Sequence, residues 1–75
     1  MSFTFQIVFR PEPEGGFTVL VPSLPGCVTF GDTMEEAQNM AKEAVSAYLE
    51  SMKEQGEEII DDTHTFDSRI QVVTT

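Results

Sequence analysis

The sequence predicts an α+β domain of order β-β-β-α-β, one antiparallel-rich sheet with a single long helix packed on one face. Three observations predict it. Hydrophobic residues alternate with others from Phe3 to Phe9, recur at three- and four-residue steps from Ala37 to Met52, and alternate again from Ser68 to Val73. Proline and glycine separate the short runs ahead of the helical stretch, which is the punctuation of hairpins.

The first strand, about residues 2–10, puts Phe3, Phe5, Ile7 and Phe9 on one side and Thr4, Gln6, Val8 and Arg10 on the other. It stops at Pro11-Glu12-Pro13-Glu14-Gly15-Gly16, where two prolines lack amide donors, so a hairpin loop is expected. A second strand over 17–21 ends at Pro22-Ser23-Leu24-Pro25-Gly26, a second turn, and a third covers 27–30. Gly31-Asp32-Thr33 then opens a helix expected over about 33–55, with Thr33 and Glu36 spaced as a capping box. Ala37, Met40, Ala41, Ala44, Val45, Tyr48, Leu49 and Met52 form its apolar stripe, and Lys53 and Gly56 mark its end. At 1.5 Å per residue such a helix is roughly 33 Å long, enough to cross a small sheet. The stretch 57–67 is acidic and irregular, and 68–73 is expected as a fourth strand joining the sheet after the helix has crossed it. The sheet face away from the helix then carries Val8, Leu20, Cys27 and Val73, a candidate interface.

The chain has 75 residues, room for one domain over 1–75 and no second. A domain of this size buries only about 60% of its unfolded surface, so homo-oligomerisation to a dimer or tetramer is expected on thermodynamic grounds. Thirteen Asp and Glu against four Lys and Arg give a net charge of -9. Cations scattered singly as Arg10, Lys42, Lys53 and Arg69 release few phosphate counterions, so direct nucleic-acid binding is not expected; the natural electrostatic partner is basic. One cysteine, Cys27, excludes an internal disulfide framework. Neither a leader pattern nor an apolar run of the ~20 residues a bilayer requires is present, so no membrane partner is expected and the chain reads as cytoplasmic.

Enzyme chemistry finds little purchase. The one histidine, His64, and the one thiol, Cys27, fall in different elements, so no base–nucleophile pair is expected, and Cys27 reads as a small hydrophobe. The stretch Asp61 to Asp67 lacks the spacing of a calcium loop or a zinc-binding helix, and Gly15-Gly16 lies in a hairpin rather than between strand and helix. The reading is therefore no catalytic residues, no metal and no cofactor. The strongest feature is the run of carboxylates Glu35, Glu36, Glu43, Glu50 and Glu54, continued by Glu57 and Glu58, against only Lys42 and Lys53 on the helix. Such a run can serve solvation alone, but the one-sided balance sacrifices mixed-sign helix pairs and points to a basic partner.

The run Val21-Pro22-Ser23-Leu24-Pro25-Gly26-Cys27-Val28-Thr29-Phe30-Gly31-Asp32-Thr33-Met34-Glu35-Glu36-Ala37, after Gly16-Phe17 and before a helix reaching Tyr48-Leu49, resembles the HicB antitoxin family. The resemblance implies a degraded ribonuclease-H-like fold without catalysis, and Phe3 to Phe9 indeed holds no carboxylate where a two-metal nuclease needs one. It implies a partner as well, a small basic HicA-like toxin that cleaves messenger RNA, met by the helix acids and the acidic stretch or by a sheet edge. Antitoxins of this type usually continue into an operator-binding domain, whereas this sequence stops at Thr75, a departure from the family pattern that leaves DNA-binding autoregulation open. The motif residues Pro22, Leu24, Pro25, Gly26, Cys27, Gly31, Asp32 and Thr33 are expected to shape the turn and cap the helix. Two other readings stay open: an orphan homo-oligomeric interaction or regulatory module of the same fold, and a residual hydrolase.

Overall fold

The computed structural model describes residues 1–75. Three strands, β1 (Val8–Pro11), β2 (Phe17–Leu20) and β3 (Val28–Gly31), precede one helix, α1 (Met34–Glu54). The sheet order is β1-β2-β3 and both pairings are antiparallel. Registers Phe9↔Val19 and Val19↔Thr29 place Val19 in the middle of the row facing the helix, where it is fully buried against Ala37 and Ala41. Small residues at 37 and 41 let the helix axis approach the sheet, while Ile7, Phe9 and Phe17 fill the flanks.

A second cluster forms where the β2–β3 connection turns. Leu24 N–H donates to Val21 O, Cys27 N–H to Leu24 O and Val21 N–H to Cys27 O, so two successive tight turns close on themselves. They point Val21, Leu24 and Cys27 inward under Ala44, Val45, Tyr48, Leu49 and Met52. Gly26, at φ 81°, supplies the left-handed step that this double turn needs. Tyr48 Oη then donates to Pro25 O at 2.8 Å, tying the middle of the helix to the turn.

At the helix start, Thr33 is the N-cap: its hydroxyl accepts from Glu36 N–H at 3.1 Å, and Glu36 Oε1 accepts from Asp32 N–H at 2.9 Å. Both orphan amides are thereby satisfied. Thr33→Ala is expected to cost about 1 kcal/mol, or roughly 4–8 °C of melting temperature, read by thermal circular dichroism.

The structure departs from the sequence reading at three places. Residues 2–7, expected as part of the first strand, lie outside the ladder, which begins at Val8. Residues 68–73, expected as a fourth strand, lie outside the sheet: they are exposed, and residues 66–75 make no main-chain hydrogen bond. The alternating pattern there confers strand propensity, but a strand needs an edge to pair with, and within one protomer this segment reaches none. Cys27 does not lie on the open sheet face. It is 6% exposed in the second cluster, because the register Leu20↔Val28 turns Val28 and Phe30 to the open face and the residue before them inward. The open face consists instead of the row Val8, Leu20 and Val28, beside Arg10, Thr18 and Phe30. Val8, Val28 and Phe30 are each more than two-fifths exposed.

Candidate functional site

The carboxylates Glu35, Glu36, Glu43, Glu50, Glu54, Glu57 and Glu58 are all exposed, and helix geometry sorts them. Glu36, Glu43 and Glu50 follow one another at seven-residue steps and Glu54 comes four residues later, so these four line one flank of α1 over about 27 Å. Glu35 falls on another line, seven residues before Lys42, together with Lys53. The stripe is thus free of helix cations, which gather on the other flank. Glu57 and Glu58 lie beyond the helix end and extend the negative surface toward the acidic stretch. Glu36 has a structural duty too, since its carboxylate closes the cap on Asp32.

The motif residues fall into two structural groups. Pro22, Leu24, Pro25, Gly26 and Cys27 build the double turn. Gly31, Asp32 and Thr33 make the passage from β3 to the helix. Gly31 is buried, and a Cβ placed there would collide with the backbone of Ala37. The passage is therefore a close approach of main chain to main chain.

Asp61 and Asp62 have a role that the sequence reading did not assign. Asp62 is 8% exposed, and its carboxylate accepts from Ser23 Oγ at 2.6 Å and Gln6 N–H at 2.9 Å, while its own N–H donates to Thr4 O at 2.7 Å. Asp61 accepts from Thr4 N–H at 2.9 Å and from the hydroxyl of Thr63 at 2.8 Å. The pair joins the first segment, the double turn and the stretch after the helix. Hydrogen bonding from the Ser23 hydroxyl and the Gln6 amide holds the Asp62 carboxyl below the usual carboxylate range. The Thr4 amide, then the Thr63 hydroxyl and amide, do the same for Asp61. A local signal for half of this exists in the Asp-Asp-Thr run, which suits an Asx turn; the partners 56 and 57 residues away leave none.

His64 and Cys27 are not brought together: Cys27 is buried in the second cluster, whereas His64 is exposed beside Asp61. Burial pushes the Cys27 thiol pKa up, which suits packing and not nucleophilic attack. No group of three or more His, Cys, Asp or Glu side chains converges on a point that could hold a metal ion. No helix is long and apolar enough to cross a membrane.

Comparison with known proteins gives this geometry a family. The chain is 42% identical over 55 residues to a UPF0150 protein of Thermoplasma acidophilum, a match covering 73% of this chain and 80% of that one. A UPF0150 protein of Archaeoglobus fulgidus is 44% identical over 49 residues, 65% of this chain and 71% of its own. Antitoxin HicB 1 of Photorhabdus laumondii is 38% identical over 58 residues, covering 77% of this chain but only 37% of that antitoxin. The model of the HicB-like antitoxin of bacterial toxin–antitoxin systems matches residues 5–72, which takes in the sheet, the double turn, the helix and both Asp61 and Asp62. The chain belongs to the HicB-like antitoxin family.

Proposed function

We propose that the chain binds and occludes a small, basic, HicA-like toxin that cleaves messenger RNA, acting in the cytoplasm by contact and not by catalysis. The observation that carries this reading is the cation-free line of Glu36, Glu43, Glu50 and Glu54 on a chain of net charge -9. A protein that cleaves RNA presents a cationic surface to phosphates, and carboxylates spaced along a straight helix meet the same surface. Family membership supplies the toxin–antitoxin setting.

The reading is tested by mixing the purified chain with a HicA-like toxin and following both complex formation and RNA cleavage. Association is expected to slow steeply as ionic strength rises from about 0.1 M to 1 M, where the screening length falls from roughly 10 Å to 3 Å. A complex whose association rate ignores salt would count against the stripe as its docking surface.

A further inference from the structure

The C-terminal segment is the least explained part of the molecule. Residues 66–75 are exposed throughout and unpaired along their backbone, with Ile70, Val72 and Val73 at 85%, 70% and 88% exposure. The radius of gyration is 14.4 Å, against about 11 Å for a compact chain of this length, and the long dimension is 49 Å. The segment therefore stands off the body while keeping strand-like alternation. Exposed apolar side chains and unpaired peptide groups together are a liability that proteins normally cover.

The same molecule offers a place for such a segment. β1 is an edge strand, and the chain just before it, at Thr4 and Gln6, is held by Asp61 and Asp62. Beside it opens an apolar groove of about 380 Å³, between Phe3, Phe5 and Ile7 on one side and Ala41, Val45 and Leu49 of α1 on the other. A strand laid along the β1 edge would turn alternate side chains, Ile70 and Val72, toward this groove and leave Arg69 and Gln71 facing water.

We propose that residues 68–73 of one copy pair with the β1 edge of a second copy, and reciprocally, giving a two-fold dimer by exchange of the C-terminal strand. Each copy carries both the free strand and the free edge, so one operation satisfies both. It also supplies the fourth strand that the sequence pattern demands and a single protomer lacks. The groove opens on the helix flank that carries Gln38 and Lys42, away from the glutamate line, so exchange leaves the proposed toxin surface free. The inference does not depend on a toxin and goes beyond the antitoxin reading.

The test compares the full chain with a version ending at Asp67, which keeps every hydrogen bond of the body. Sedimentation equilibrium at high micromolar concentration is expected to give twice the protomer mass for the full chain and the protomer mass for the shortened one, with equal helical ellipticity. In a mixture of ¹³C-labelled and unlabelled full chains, isotope-filtered nuclear Overhauser effects should join Ile70 and Val72 of one copy to Phe5 or Ile7 of the other. Ile70→Lys with Val72→Lys in the full chain should return the protomer mass. A monomeric full chain, a dimer that survives the truncation, or Ile70 contacts found only within one chain would each overturn the proposal.

Discussion

Gly31→Ala is expected to be the most damaging single-methyl change in the protein. The new Cβ would meet the amide nitrogen, Cα and Cβ of Ala37. None of these can move aside cheaply. Ala37 is fully buried, and its N–H is already bonded to Thr33 O at 2.8 Å in the first helical turn. Relief would require lifting the helix start off β3, which also breaks the Thr33 cap and loosens Val19 from Ala37 and Ala41. Overpacking of this kind costs about 3 kcal/mol, which for a domain of this size lowers the melting temperature by roughly 12–24 °C. Gly26→Ala is the matched control. Its added methyl meets nothing within 4 Å, so only the left-handed backbone, φ 81°, opposes it, at about 1–2 kcal/mol. Thermal circular dichroism should therefore rank Gly31→Ala clearly below Gly26→Ala; the reverse order would refute the close-approach explanation.

The second large effect is expected at Asp62. Replacing it by Ala strips acceptors from Ser23 Oγ and Gln6 N–H and unties three segments that are far apart in sequence. Leaving such groups unpaired should lower the melting temperature on the order of 10 °C, more than removal of the helix cap. The same contacts set a pH dependence. A carboxyl held below its unfolded value, about 3.9 for aspartate, stabilises the fold fully above that value and loses its contribution as pH falls through the lowered folded value. The wild-type chain should therefore lose stability on acidification below about pH 4, and Asp61→Asn with Asp62→Asn should flatten that loss while lowering stability at neutral pH. Equal acid sensitivity in the double variant would show that the clamp is not the titrating element.

How much of this was legible in the sequence depends on the range of the interaction involved. The helix and its cap are local: Thr33 and Glu36 are three residues apart, and the apolar recurrence from Ala37 to Met52 fixes which face is buried. The turn between β2 and β3 was legible as a turn, but its effect on Cys27 was not, because the register that two successive reversals set decides which of Cys27 and Val28 faces the helix. The aspartate clamp was invisible, since an acidic, irregular stretch reads as solvated until the fold brings Thr4, Gln6 and Ser23 beside it. The last segment shows the converse. Its strand pattern was legible, and the structure shows that pairing has no partner within one copy.

The carboxylates are all legible in the sequence, but their division into a line of four and a mixed-sign flank is a property of helical phase. That division allows the glutamate line to be reversed in charge without touching the other flank. Glu43→Lys, Glu50→Lys and Glu54→Lys change exposed side chains only, and Glu36 is spared because it closes the cap. The most direct measurement titrates the wild-type chain and this triple variant into a HicA-like toxin while RNA cleavage is followed. The wild type should suppress cleavage, and the variant, folded by circular dichroism, should need on the order of 100-fold more protein to do so, since opposed like charges cost several kcal/mol. Suppression by the variant at the wild-type concentration, or unimpeded cleavage with the wild type in excess, would contradict occlusion through the glutamate line.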